Sequence, residues 1–229
     1  MTTKYYLGFH SSTGLTDSAD TILSNYANNA SAPQEPHFET LVSYFIPELL
    51  DAFLINTCTA VGLGPMATKV VNGAADTISK TSTALVAHLL KKRSNEELRP
   101  MADFVDETYL RAETCSSGKN AVGCEVTKDL YDRMLHVIGE VKSGNAQSVL
   151  EELHGIMIEV VDVVLEGFMK RAIGLLKVNF VLRKICDAAI VTCRGAGHMV
   201  VNKVFKKLDD EQLDRLADYF ENLMLTAER

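Results

Sequence analysis

The chain has no tryptophan, and aromatic residues make up only 7% of its 229 positions. A core must therefore be filled by Leu, Val, Ile, Ala and Met. The common signatures of chemistry are missing as well. There is no GxSxG elbow, no HExxH pair and no calcium-loop pattern, so the usual hydrolase, zincin and EF-hand readings fall away. Five cysteines, an odd number, contain no CxxC pair, which leaves no zinc-ribbon spacing. The opening MTTKYYLGFHSS lacks the charged-then-apolar layout of a signal peptide, so the expectation is a cytoplasmic protein with reduced thiols. Net positive charge is absent too. At −7 overall, the chain is a poor general binder of nucleic acid, whose affinity comes from neutralised phosphates.

No clean membrane span is present. The longest apolar run, Leu41 to Leu63, covers 23 residues but contains Pro47, Glu48 and Asp51. Charges at that depth in a bilayer are costly, so the run reads as a buried helix pair. No fixed-period repeat occurs.

What the chain does have is a long apolar and cationic region from Val149 to Lys207. Its part from Phe168 to Lys207 holds nine basic residues and one acid, Asp187, against the chain total of −7. The remainder is correspondingly acidic. Gly155, Gly167 and Gly174 punctuate this region. Its β-branched clusters do not sustain a period-two alternation, so helix is the expected state.

Elsewhere the helical period is plain. Leu41, Phe45, Leu49 and Phe53 recur every four residues, with Pro47 expected to kink the helix or begin a second piece. Gly62-Leu63-Gly64-Pro65 ends it. The literal GxGxxA match at Gly62 to Ala67 follows a helix rather than a strand, so it reads as a helix-to-helix linker and not as a dinucleotide loop. Ser94 with Glu97, and Asp209 with Gln212, have the spacing of capping boxes. Thr114 to Gly123 is the clearest loop, and Leu213, Leu216, Phe220 and Leu223 form the inner stripe of a last short helix. Gly118-Lys119-Asn120 lacks the partners of a phosphate loop.

The resulting expectation is an all-α chain. It comprises a loose N-terminal arm over residues 1–36 and a single helical domain over residues 37–229, with seven or eight helices around the apolar and basic centre.

Three functions remain open. The first-ranked is a non-enzymatic interaction or regulatory module needing no cofactor. It is expected to self-associate or bind a protein partner, because so apolar a set of helices can require a partner surface. The second is a binder of a hydrophobic or amphipathic anionic ligand. Here Lys170, Arg171, Lys177, Arg183 and Lys184 form a cationic stripe that holds the head group. The preferred alternative for that stripe is pairing with the chain's own acidic helices, each exposed pair contributing under ~1 kcal/mol. Contact with a membrane surface is not favoured, since Trp is missing and Phe180 is the only aromatic between Phe168 and Phe205.

The third function is a metal-dependent enzyme built on Glu151 and His154, a Glu-x-x-His half-motif that puts a carboxylate and an imidazole on one helix face. It would need further carboxylates from Glu48, Asp51 or Glu159. Cys115 and Cys124 flank the loop and could be bridged if their Cβ atoms meet. Cys186 and Cys193 read as small buried apolar residues.

Overall fold

The computed structural model describes residues 2–229. The chain is mostly helical, 74%, but it also carries a curled four-stranded antiparallel sheet of order β2-β3-β1-β4. The all-α expectation is corrected on this point. The strands are β1 (Thr3–His10), β2 (Tyr109–Leu110), β3 (Ala121–Val126) and β4 (Met224–Glu228).

Strand β1 lies at the centre, pairing with β3 through Leu7↔Cys124 and Phe9↔Val122 and with β4 through Tyr5↔Thr226. The loose arm expected over residues 1–36 is therefore replaced, over Thr3–Ala27, by a central strand and a packed helix. The cause is non-local: β1 and β4 come from opposite ends of the chain, and Thr2 and Arg229 exchange backbone hydrogen bonds at 2.9 and 3.3 Å. Both faces of the sheet are covered. Leu7, Phe9, Val122 and Cys124 join the main core, while Tyr6, Leu110, Cys115, Ala121, Leu225 and Ala227 form a small second cluster on the opposite face.

Ten α-helical segments follow in chain order. They are α1 (Thr13–Ala27), α2 (Glu35–Leu50), α3 (Asn56–Val61), α4 (Pro65–Leu90) and α5 (Asn95–Thr108), then α6 (Lys128–Glu140), α7 (Leu150–Val164), α8 (Arg171–Leu175), α9 (Phe180–Lys203) and α10 (Asp210–Glu221). A π turn at Asp51–Ile55 joins α2 to α3, and another at Leu165–Lys170 joins α7 to α8. The described residues thus form eight continuous helices.

Local chemistry explains the ends. Gly62 closes α3 in the left-handed conformation, φ 71°, and Pro65 opens α4 at its first turn, where the missing N–H costs nothing. Both expected capping boxes form, at Ser94/Glu97 on α5 and Asp209/Gln212 on α10. Pro47 sits inside α2 without ending it. The helix instead widens a few residues later into the π turn.

The central region is divided. α8 stops at Leu175, Leu176 is extended (φ −96°, ψ 135°), and α9 restarts with the Asn179 side chain accepting the Leu182 N–H at 2.9 Å. Helix α9 then packs along α4 and α7. Gly197 of α9 allows close approach to α7, since a Cβ there would lie 2.6 Å from Val161 Cγ1.

Candidate functional site

One concavity is almost wholly apolar and reaches into the core. Helices α2, α4 and α5 enclose, with the second π turn and α8, a cavity of about 170 Å³. Phe45 and Leu49 contribute from α2, Leu85 and Leu89 from α4, Phe104 from α5, and Phe168 from the π turn. Its far wall reaches the sheet at Val122, and its near end is bounded by Leu90 and Leu176. Phe45 and Phe168 meet edge-to-face across it, their ring centroids 5.2 Å apart. The π turn at Leu165–Lys170 contributes Leu165, Phe168 and Met169 to the wall, and such bulges recur at functional sites.

A second cavity of about 80 Å³ adjoins the first, sharing the wall residues Leu49, Leu50, Ile78, Val164 and Leu165. Ser82 lines the larger space and Cys193 the smaller, and their Oγ and Sγ atoms touch at 3.9 Å. Sulfur is a weak partner, so the Ser82 hydroxyl retains hydrogen-bonding capacity toward the cavity. The Thr108 hydroxyl, also on the wall, is already committed to the Phe104 carbonyl at 2.9 Å. The chemistry on offer is apolar burial with one hydroxyl.

Magnitude gives this cavity its weight. Unfilled space in a core costs about 24 cal/mol per Å³ in a measured large-to-small series, so 170 Å³ corresponds to about 4 kcal/mol relative to full packing. A cavity near 150 Å³ lined by aliphatic and aromatic side chains accepts benzene.

The expected cationic stripe is not one stripe. Lys170 closes the π turn and pairs with Glu166 at 2.9 Å, and Arg171 on α8 pairs with Glu107 of α5 beside the Phe104 ring. Those two have intramolecular acidic partners, Lys170 within its own segment and Arg171 on α5. Lys177 lies in the connection between α8 and α9, and Arg183 and Lys184 lie on α9; all three are exposed. The break at Leu176 to Asn179 separates the two groups because Asn179 caps a new helix. Asn179 is the one local signal in the sequence for this break.

The metal candidates are also dispersed. Glu151 is exposed, and His154 Nε2 lies 3.1 Å from Asn202 Oδ1. Glu48 accepts from the Ser12 backbone at the start of α1, and Glu159 pairs with Arg133 at 2.8 Å. Among the described residues, no group of three or more His, Cys, Asp or Glu is placed to hold a metal. Glu151 and His154 instead border an open groove with Phe205 and Lys206.

All five cysteines are free, so Cys115 and Cys124 do not pair; both are buried. Their contacts point elsewhere: Cys124 Sγ donates to the Leu7 carbonyl at 3.6 Å, while Cys115 Sγ meets Ser117 Oγ at 3.2 Å. Burial pushes the Cys58 and Cys124 thiols up to about 12, and it also raises Cys186 and Cys193. These four remain thiols near neutral pH and are weak nucleophiles.

No helix among the described residues is long and apolar enough to cross a membrane. Neither a protein-family model, nor a curated protein, nor a solved structure matches the chain significantly.

The cavity has no signature in the sequence. Leu41, Phe45 and Leu49 were visible as an inner stripe, but a stripe that lines a void and one that fills a core have the same spacing.

Proposed function

We propose that this protein is a non-enzymatic binder of a small apolar or amphipathic molecule, held in the cavity between α2, α4, α5 and α8. The observation that carries this reading is the 170 Å³ apolar space with the Ser82 hydroxyl at its wall. A compact hydrocarbon body of about benzene size fits as the cavity stands. A longer chain would extend past Leu50 and Ile78 into the adjoining space. Binding would be driven by removing apolar surface from water, with Ser82 orienting one polar atom of the ligand.

The test is a thermal melt of the purified protein titrated with short-chain alcohols and fatty acids. A ligand at about 100 times its Kd stabilises by about 2.7 kcal/mol, which for a chain of this size raises Tm by several degrees. Ala172→Phe, which projects a ring from α8 into the cavity, abolishes the shift on this reading. A shift that persists in the variant places the ligand elsewhere.

A second reading, the self-associating interaction module, draws on the apolar residues Val181, Ile185 and Val191 exposed along α9. Sedimentation velocity across a concentration series tests it: a monomer at all concentrations removes self-association.

A further inference from the structure

We propose that the end of the molecule formed by the α4–α5 turn and the start of α9 docks on an anionic lipid surface. Arg93 joins the two segments, donating from Nη2 to the Lys177 carbonyl at 2.9 Å. That bond places Lys91 and Lys92, at the end of α4, on the same end of the molecule as Lys177, Arg183 and Lys184. These five side chains are exposed, and none makes an ion pair among the described residues. The local acids are partly occupied: Glu97 pairs with Arg93 at 3.1 Å, and the Glu35 carboxylate accepts the Lys92 backbone N–H at 3.0 Å. Asp187 lies one turn beyond Arg183 on α9.

Apolar side chains project from the same place. Phe180 is 71% exposed and Val181 67%, both in the first turn of α9. Ile185 and Ala188 continue the strip at positions four and seven residues on, also exposed. Lys184 Nζ lies 4.6 Å from the centre of the Phe180 ring. An aromatic at the head of a helix, with a lysine beside it and aliphatic residues along one face, is the arrangement that partitions into the boundary between headgroups and acyl chains.

Charge selects this occupant over a second copy of the chain. A two-fold contact through the start of α9 sets the same unpaired cations against one another. An anionic bilayer attracts this end and repels the rest of a chain whose total is −7, so the protein is also oriented. Leu90 and Leu176 bound the cavity and directly precede Lys91 and Lys177. Docking therefore brings that end of the cavity to the lipid. The inference rests on the surface alone and does not require the cavity to bind anything.

The experiment is flotation of the full-length protein with phosphatidylcholine vesicles, with and without phosphatidylserine, at low and high salt. The protein is expected to float only with the phosphatidylserine vesicles and to be released by salt. Each removed cation weakens partition about fivefold, so Lys177→Ala with Lys184→Ala lowers it roughly 30-fold. Phe180→Ala weakens it while leaving the salt dependence in place. All three positions are exposed, and circular dichroism confirms that the variants fold. Absence of flotation with anionic vesicles overturns the proposal, as does equal flotation with both vesicle types. So does a folded Lys177→Ala/Lys184→Ala variant that binds as wild type does. Failure to bind vesicles together with a dimer that Val181→Asp disrupts assigns the face to a second copy instead.

Discussion

The Tyr219 hydroxyl of α10 donates to the carbonyl oxygen of Ala52 at 2.8 Å, inside the π turn between α2 and α3. Thr57 Oγ1 donates to the same oxygen at 3.2 Å. In this turn the hydrogen-bond ladder moves out by one residue, with the Asn56 N–H reaching the Asp51 carbonyl. Two side-chain donors on one buried carbonyl support that widened register. Tyr219→Phe is expected to cost about 1 kcal/mol, and Thr57→Val a similar amount. Together they should cost more than the sum, because the oxygen then loses both donors. Urea midpoints of the three variants decide this, and strict additivity would show that the two bonds act independently.

Helices α7 and α9 meet closely at Gly197 and Val161, where a Cβ on the glycine would fall 2.6 Å from Val161 Cγ1. Gly197→Ala should therefore destabilise by about 1–3 kcal/mol through overpacking. Adding Val161→Ala removes the clashing methyl and should recover part of the loss. A double-mutant cycle in denaturant measures the coupling, and a coupling of zero would mean that α9 simply shifts to make room.

Stability should fall in alkaline solution. Burial raises Cys58 and Cys124 well above the ordinary thiol range, to about 12, and it also raises Tyr6, Tyr26, Tyr109, Tyr131 and Tyr219. Between pH 9 and 12 the unfolded chain releases thiol protons that the folded chain retains. The unfolded state then binds fewer protons, and unfolding becomes more favourable as pH rises. Cys124, the more deeply buried of the two, contributes a slope approaching about 1.4 kcal/mol per pH unit across that window. Urea titrations at a series of pH values test the slope, and Cys124→Ala should flatten it. An unchanged slope in that variant would assign the alkaline loss to Cys58 and the tyrosines.

Local signals in the sequence were reliable where a single turn decides the outcome. The Ser94/Glu97 and Asp209/Gln212 boxes, the Gly62-to-Pro65 linker and the Leu213, Leu216 and Phe220 stripe all stand in the structure as their spacing implied. The sheet was hidden because its information is not local. The strand TKYYLGFH buries Tyr6, Leu7, Gly8 and Phe9 in succession, since both faces of the sheet are covered, so no period-two alternation survives. Gly8 and Gly123, which pair across β1 and β3, also interrupt the apolar run; a Cβ on Gly8 would meet the Val122 carbonyl oxygen at 2.3 Å. Strand β4 pairs with residues more than 200 positions earlier, a relation that no window of sequence displays. The basic residues were all visible, but the break at Leu176 to Asn179 that separates the acid-paired Lys170 and Arg171 from Lys177, Arg183 and Lys184 depended on one N-cap. The π turns at Asp51–Ile55 and Leu165–Lys170 have no composition of their own, and the cavity beside the latter had no signal at all.

The central claim, that the space bounded by Phe45, Leu85 and Phe168 takes up an apolar ligand, is tested most directly by methyl-resolved NMR during titration with 1-octanol. The prediction is saturable shifts concentrated on the cavity methyls of Leu85, Leu89, Val105 and Ile173, lost in Ala172→Phe. No shift at those methyls up to the solubility limit, or the same shifts in the filled variant, would contradict the account.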